Sequence, residues 1–438
     1  MKKIYLIALT VFSALNSIKA QSPCATGRYA ADTFTNITTT SNVVYGSNIT
    51  TSSTTQTLTM DIYQPTGDVE TNRPLIIWAH GGSFVGGSKT DGDVVALSQR
   101  FAKKGYVCAS INYRLGLTFD SVAAVKAVLR AVQDMKASIR FFYKDKLTTN
   151  TYKIDTNNIF IGGSSAGAIT ALHTAYLDKS CEVNYYMNDS VVNSLGGMDG
   201  YSGNQCYSSK IKGVINLCGA LGRYGWIQPG DVPFCSMHGT IDATVRYNRG
   251  YASPFGINLI ILDGSRMLNA QANAIGVSNP FYTWYGKDHV PYASSTVYMD
   301  STVSFVRDFL ISNLGCTDAP LFLPNTPAQT ANLYAYTTCT TNVTLNCSQV
   351  GIKELTNNSI ISEVYPNPSE NDMTVVFENA NTVHKIELFD ITGKIISSAE
   401  TTEEASFKIK KNNISEGLYF LKVTNKVGQS TTQKVIFK

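Results

Sequence analysis

The chain has 438 residues, 43% of them hydrophobic and 16% charged. At roughly 150 residues per domain this length accommodates two or three folded units, and the apolar content excludes an intrinsically disordered chain. The formal net charge of +4, from 36 Lys+Arg against 32 Asp+Glu without any basic block, speaks against nucleic acid as a partner.

Lys2-Lys3, an apolar stretch from Ile4 to Ala14 and a small residue at Ala20 have the layout of a signal peptide over residues 1–20. That stretch is too short to span a bilayer, and no later segment approaches the roughly 18 consecutive apolar residues of a membrane helix, so no span is expected. Export implies an oxidising compartment in which some of the nine cysteines pair, and an odd count leaves at least one thiol over. Cys108, Cys218 and Cys235 lie in apolar runs and read as buried thiols. Cys181 and Cys206 bracket a polar insertion that a disulfide would staple. Cys24, Cys316, Cys339 and Cys347 sit where pairing would tie down the ends of the first domain.

Leu58, Met60 and Ile62 alternate with polar residues, which predicts a half-buried strand ending at Pro65. Continuous apolar runs follow at Leu75 to Ala79, Val107 to Ile111, Ile159 to Ile161, Val214 to Leu217, Val232 to Met237 and Phe281 to Tyr285. Such runs mark parallel strands covered on both faces. Between them, Val125, Val128, Leu129, Val132, Met135, Ile139 and Phe142 form one face of a long helix, with Lys126, Arg130, Gln133 and Lys136 opposite. Strands alternating with helices predict an α/β fold with a mostly parallel sheet over residues 21–315, closed by a helix near Thr302 to Ile311. Residues 316–354, rich in Pro, Thr and Asn, read as a linker. From 355 to 438, short strand candidates separated by turn signals such as Thr392-Gly393 and Glu416-Gly417 predict a small all-β sandwich.

The chemistry concentrates in Gly163-Ser164-Ser165-Ala166-Gly167, placed after a strand and before an apolar helix: the G-x-S-x-G nucleophile elbow in its required setting. Glycines at both ends permit the sharp turn that lifts the Ser165 hydroxyl above the sheet, and the following helix aims its free N–H groups at a developing oxyanion. His80-Gly81-Gly82-Ser83-Phe84 follows an earlier strand, so the N–H groups of Gly81 and Gly82 can converge with that of Ala166 on one oxygen. His80 braces that loop. A serine hydroxyl needs a base and an acid to orient that base. Of the five histidines, His289 follows the last core strand, where it can reach back over the sheet, and His238 begins the turn that presents Asp242. The expected set is therefore Ser165 as nucleophile, His289 as base and Asp242 as orienting acid, in the chain order this fold demands. Asp288 is the rival acid, but it adjoins His289 and is poorly placed to meet the ring. Phe84, Tyr113 and Trp226 are candidates to line an apolar or aromatic acyl pocket, and no metal-ligand spacing appears.

On Asp61 to Pro65, His80 to Phe84, Ile111 to Arg114, Gln133-Asp134, the Ser165 elbow, His238 to Asp242 and His289, the chain resembles the α/β-hydrolase superfamily, and within it the secreted carboxylesterases and feruloyl-esterase-like enzymes. The resemblance implies an acyl-enzyme mechanism without a cofactor, acting on an ester substrate such as a feruloyl or acetyl ester of polysaccharide. Ser164 departs from the acidic residue frequent at that place. Tyr365-Pro366-Asn367-Pro368-Ser369, Leu388 to Lys394, Gly417 to Phe420 and Lys434 to Lys438 resemble the C-terminal sorting domain of the Bacteroidetes type IX secretion system. That likeness implies a secretion machinery as partner and a secreted or cell-surface location. A peptidase built on the same residues and a non-catalytic adhesion protein on a hydrolase scaffold are the alternatives. The first usually carries a large extra domain, for which there is no room before Leu58; the second usually lacks a triad member.

Overall fold

A computed structural model describes residues 24, 26–316, 326–336 and 360–438, apart from 378–383, 391, 403, 413 and 427–429. The expected leader at 1–20, most of the expected linker, and Cys339 and Cys347 lie outside the described residues. The chain divides into two compact units, one within 1–350 and one within 351–438.

In the first unit the elements run β1 (Ile37–Ile49), β2 (Thr55–Pro65), β3 (Arg73–Ala79), α1 (Gly92–Lys103), β4 (Val107–Ile111), α2 (Ser121–Leu147), β5 (Ile154–Ser164) and α3 (Ala166–Tyr176). They continue as α4 (Ser180–Asn184), α5 (Asp189–Ser194), β6 (Gly213–Leu217), β7 (Ala220–Leu221), β8 (Phe234–Gly239), β9 (Arg249–Ala252), β10 (Ile260–Gly264), α6 (Ser265–Ile275), β11 (Phe281–Trp284) and α7 (Thr296–Asn313). Eight strands form one sheet in the order β1-β2-β4-β3-β5-β6-β8-β11, in which β1–β2 and β2–β4 are antiparallel and the remaining pairs parallel. Every residue of β3, β4, β6 and β8 is buried, as strands roofed by helices on both faces must be. The polar stretch ahead of β2 forms the edge strand β1; its Thr-rich, largely exposed run carries no apolar alternation to announce it.

Helix α2 starts at Asp120, whose carboxylate accepts the Ala123 N–H, and buries Leu129, Val132, Met135, Ile139 and Phe142. Its opposite face departs from expectation, because Arg130, Gln133 and Lys136 are buried too. The segment between Cys181 and Cys206 covers the last two: Gln133 Nε2 donates to the carbonyls of Leu195 and Gly197 at 3.0 and 2.6 Å, and Lys136 Nζ meets Asp199 at 2.7 Å. Beside them Arg114 sets its guanidinium on Asp134 at 2.8 Å, both side chains fully buried, while Ser202 donates to the same carboxylate at 2.5 Å. Cys24 is bonded to Cys316, tying the start of the unit to the end of α7. Cys181 is also disulfide-bonded, and Cys108, Cys218 and Cys235 are buried free thiols.

The second unit contains β12 (Ile361–Tyr365), β13 (Met373–Phe377), β14 (His384–Phe389), β15 (Ile395–Glu400), β16 (Ser406–Ile409), β17 (Gly417–Asn425) and β18 (Ser430–Phe437). They form two antiparallel sheets, β12-β13-β16 and β15-β14-β17-β18, over a core that includes Met373, Val375, Leu388, Leu421, Val423 and Val435. Alternate residues of β13 and β17 face that core, which is why the period-two pattern is readable. Strand β12 was not among the sequence expectations.

Candidate active site

The turn between β5 and α3 places Ser165 at φ 54° and ψ −115°, a conformation foreign to ordinary L-residues and held by the Ser165 N–H donating to Leu217 at 2.9 Å. Glycine is compulsory on both sides: a Cβ on Gly163 would stand 2.4 Å from the Gly167 carbonyl carbon, and one on Gly167 would stand 2.0 Å from the Ala79 carbonyl oxygen. Close approach of α3 to the end of β3 thus brings Ser165 beside the 80–84 loop.

His289 Nε2 lies 2.7 Å from Ser165 Oγ, and its Nδ1 lies 2.6 Å from Asp242 Oδ2. The carboxylate is fixed from behind, since Asp242 Oδ1 accepts the N–H groups of Thr244 and Val245 at 2.9 and 2.8 Å. His238 Nε2 approaches Asp242 Oδ2 at 3.2 Å and the Val245 carbonyl at 2.9 Å. Its Nδ1 meets the Ser265 hydroxyl at 2.7 Å, and that oxygen already accepts from Asn216 Nδ2 at 2.9 Å. Facing a carboxylate and a carbonyl, His238 Nε2 acts as a donor. Burial alone would raise the Asp242 carboxyl, but the hydrogen bonds from His238 and His289 outweigh it and hold the group well below the usual carboxylate range.

The loop carrying His289 is stitched to the loop carrying Asp242. A Cβ on Gly239 would fall 2.2 Å from the Lys287 carbonyl oxygen, Ile241 N–H donates to that carbonyl at 3.1 Å, and Asp288 accepts the N–H groups of Ala243 and His289 at 2.9 and 2.8 Å. Asp288 therefore braces this junction and does not face the imidazole. Among the described residues, the metal-ligating side chains that cluster are Cys218, Asp242 and His289, of which the last two are already joined by their hydrogen bond.

Gly82, Ser83 and Phe84 follow one another at φ 96°, 56° and 58°, a left-handed run closed by Val85 and Gly86 donating to the Gly82 carbonyl. No described hydrogen bond uses the N–H of Gly81 or Gly82, and Ala166, as the first residue of α3, has no intrahelical acceptor. A Cβ on Gly81 would lie 3.6 Å from Ser165 Cβ, so loop and nucleophile adjoin. His80 is buried and its Nδ1 donates to the Gly81 carbonyl at 2.7 Å; burial lowers its pKa. It stacks on Tyr113 with centroids 4.3 Å apart, and Tyr113 Oη donates to the His80 carbonyl at 2.8 Å. This corrects the expectation for Tyr113, which supports the loop from behind and does not line the cavity. Ser164 is buried and shares a 2.7 Å hydrogen bond with Tyr292.

Two openings meet at Ser165. One is a partly open cavity walled by apolar side chains, among them Phe84, Val128, Ile169, Leu177, Trp226 and Leu262. The other is an open cleft with Gly81, Gly82, Asp91, Asp93 and His289 on its walls and exposed Phe255 at its rim. Phe84 and Trp226 thus lie where a pocket-lining role requires. His173 also faces the cavity; burial lowers its pKa to about 4, so it is neutral there. The β9–β10 hairpin adds Ala252 and Ile260 to the wall, and the segment after Cys181 adds Val183 and Tyr186. None of these carried a sequence signal beyond being apolar.

A strand–turn–helix elbow on β5, an acid after β8 and a histidine after β11 on a mostly parallel eight-stranded sheet define the architecture. The fold is that of the α/β-hydrolases. Residues 60–252 match the BD-FAE family model, and residues 363–438 match that of the secretion system C-terminal sorting domain. The chain is 28% identical over 113 residues to gut esterase 1 of Caenorhabditis briggsae, a match covering 25% of this chain and 19% of that protein, so it spans about a fifth of the relative's length. Similar solved structures include Thermogutta terrifontis esterase 2 phosphoramylated by tabun, at a TM-score of 0.46 and 17% identity over 63% of this chain and 94% of the other. The propionate-bound form of the same esterase gives 0.44 and 18% over 62% and 93%. No helix among the described residues is long and apolar enough to cross a membrane.

Proposed function

We propose that the protein hydrolyses carboxylic esters through an acyl-enzyme. The observation that carries this reading is the continuous relay from Ser165 Oγ through His289 to Asp242, with separations of 2.7 and 2.6 Å. Ser165 attacks the ester carbonyl while His289 Nε2 takes its proton, and Asp242 holds the ring with its proton on Nδ1 and stabilises the imidazolium. The carbonyl oxygen, now negative, is received by the N–H groups of Gly81, Gly82 and Ala166. His289 then protonates the departing alcohol, and a water activated by the same nitrogen cleaves the acyl-enzyme.

The dry cavity beside Ser165 suits an apolar or aromatic acyl group such as feruloyl better than acetyl, and the polar cleft suits a hydroxyl-rich alcohol such as a sugar. The sorting-domain match supports delivery of the protein to the cell exterior by a secretion machinery. The test is labelling with a fluorophosphonate followed by peptide mapping, together with turnover of aryl esters and methyl ferulate. Label on Ser165 and loss of all ester turnover in Ser165→Ala are expected. Undiminished turnover in that variant refutes the mechanism.

A further inference from the structure

The apolar cavity runs along α3, from Ala166 at the nucleophile to His173, about 10 Å further at 1.5 Å per residue. Trp226 stands at that far end, with its ring edge-on to His173 at 5.6 Å and to Tyr186 at 6.1 Å. An acetyl group on Ser165 stops short of this wall, whereas a hexanoyl or octanoyl chain reaches it.

What holds the wall lies outside both matched regions. Residues 326–336, expected to be linker, pack on the first unit: Thr326 accepts the Thr283 N–H at 2.8 Å, Gln329 N–H donates to Asn269 at 2.9 Å and Arg266 Nε donates to the Thr330 carbonyl at 2.9 Å. Tyr334 then clamps the turn that carries Trp226. Its hydroxyl donates to Asp263 Oδ2 at 2.6 Å, the oxygen that also accepts the Tyr224 N–H at 2.8 Å, and its carbonyl accepts the Tyr224 hydroxyl. The Arg249 guanidinium covers its ring at 4.3 Å while pairing with Asp263 at 2.6 Å. Tyr336 sets its ring against Gly225, the neighbour of Trp226, where a Cβ would come within 2.2 Å of it.

We infer that residues 326–336 determine acyl selectivity, with Tyr334 and Tyr336 acting as positioning residues that fix Trp226 as the end wall for an apolar acyl chain longer than acetyl. This rests on the esterase reading of Ser165. Ordering a large, doubly contacted indole in advance spares an incoming chain that cost, so the benefit falls only on acyl groups long enough to touch it.

The test compares kcat/KM for p-nitrophenyl acetate and octanoate. In Tyr336→Ala the octanoate-to-acetate ratio is expected to fall about tenfold, the scale of a methylene or two of pocket contact, with acetate turnover within about twofold of wild type. Tyr336→Leu, which removes the ring from Gly225 but keeps an apolar side chain there, serves if the alanine variant does not fold; the ratio then falls about threefold. In a Trp226→Ala background, adding Tyr336→Ala produces no further fall, because the tyrosine acts only through the indole it positions. A ratio unmoved by both Tyr336 variants, a parallel loss on both esters, or additive effects in the double variant overturns the inference. Absence of Ser165-dependent turnover of either ester overturns the esterase reading and this inference with it; Ser165-dependent turnover with an unmoved ratio overturns this inference alone.

Discussion

Replacing Asp242 by asparagine interrogates the relay with almost no change of shape. In the native site Oδ1 accepts two backbone N–H groups and Oδ2 faces His289 Nδ1 and His238 Nε2. In Asp242→Asn the backbone donors pin the amide oxygen on their side, which turns the NH2 toward the two histidines. His289 must then present a bare Nδ1 and carry its proton on Nε2, pointing at Ser165 Oγ, and a nitrogen that already bears a proton cannot take one from the hydroxyl. The same carboxylate-to-amide change in a serine-protease triad lowers kcat by about 10⁴, about 5 kcal/mol of transition-state stabilisation. A loss of that size is expected here in kcat for p-nitrophenyl butyrate at neutral pH, with KM little changed because the cavity and the oxyanion donors are untouched. A variant that keeps kcat within tenfold of wild type would refute Asp242 as the orienting acid and return attention to Asp288.

The same carboxyl, depressed in the folded state, contributes stability that is present above its unfolded pKa and lost as pH falls toward its folded value, so Asp242→Asn should flatten the acid limb of a Tm-against-pH curve. Glu182 has the opposite sign. Burial pushes its carboxyl up to about 7, so ionisation opposes folding once pH rises past its unfolded pKa, and Glu182→Gln should raise Tm at alkaline pH while leaving it unchanged at acid pH. Gly167→Ala places a methyl 2.0 Å from a backbone oxygen of β3 and should cost about 3 kcal/mol in urea unfolding, the upper end for overpacking. Arg114→Met leaves Asp134 as a buried unpaired charge and should cost about 3–5 kcal/mol by the same measurement; an unshifted urea midpoint would show that the pair is not the anchor of the 181–206 segment.

The parallel strands were legible because each is an unbroken apolar run, and the nucleophile because its two glycines have no alternative explanation in a strand–helix turn. Asp242 and His289 followed from position at strand ends, where side chains from distant parts of the chain converge above the sheet. Tyr113 misled because an aromatic next to a glycine-rich loop can face either side of it, and only the stack on His80 decides which. The buried polar face of α2 misled for a related reason: Gln133 and Lys136 look solvated until the segment after Cys181 folds over them and supplies acceptors. Residues 326–336 have linker composition, yet two tyrosines suffice to dock them, because each meets a partner that pattern reading does not see: a buried carboxylate at 263 and a bare glycine at 225.

The two openings at Ser165 impose an order on the chemistry. The apolar cavity, proposed to take the acyl group, lies on one side of Ser165, while His289 stands on the wall of the more open cleft on the other. In the proposed mechanism the leaving alcohol therefore departs on the side from which His289 protonates it, and the hydrolytic water arrives along the path the alcohol has vacated. An acyl chain that fills the cavity does not obstruct that path, so chain length can be read by the far wall without slowing deacylation. On the proposed reading, selectivity and turnover are controlled by different parts of the chain: selectivity by the tyrosines of 334 and 336 acting on Trp226, turnover by the relay that ends at Asp242.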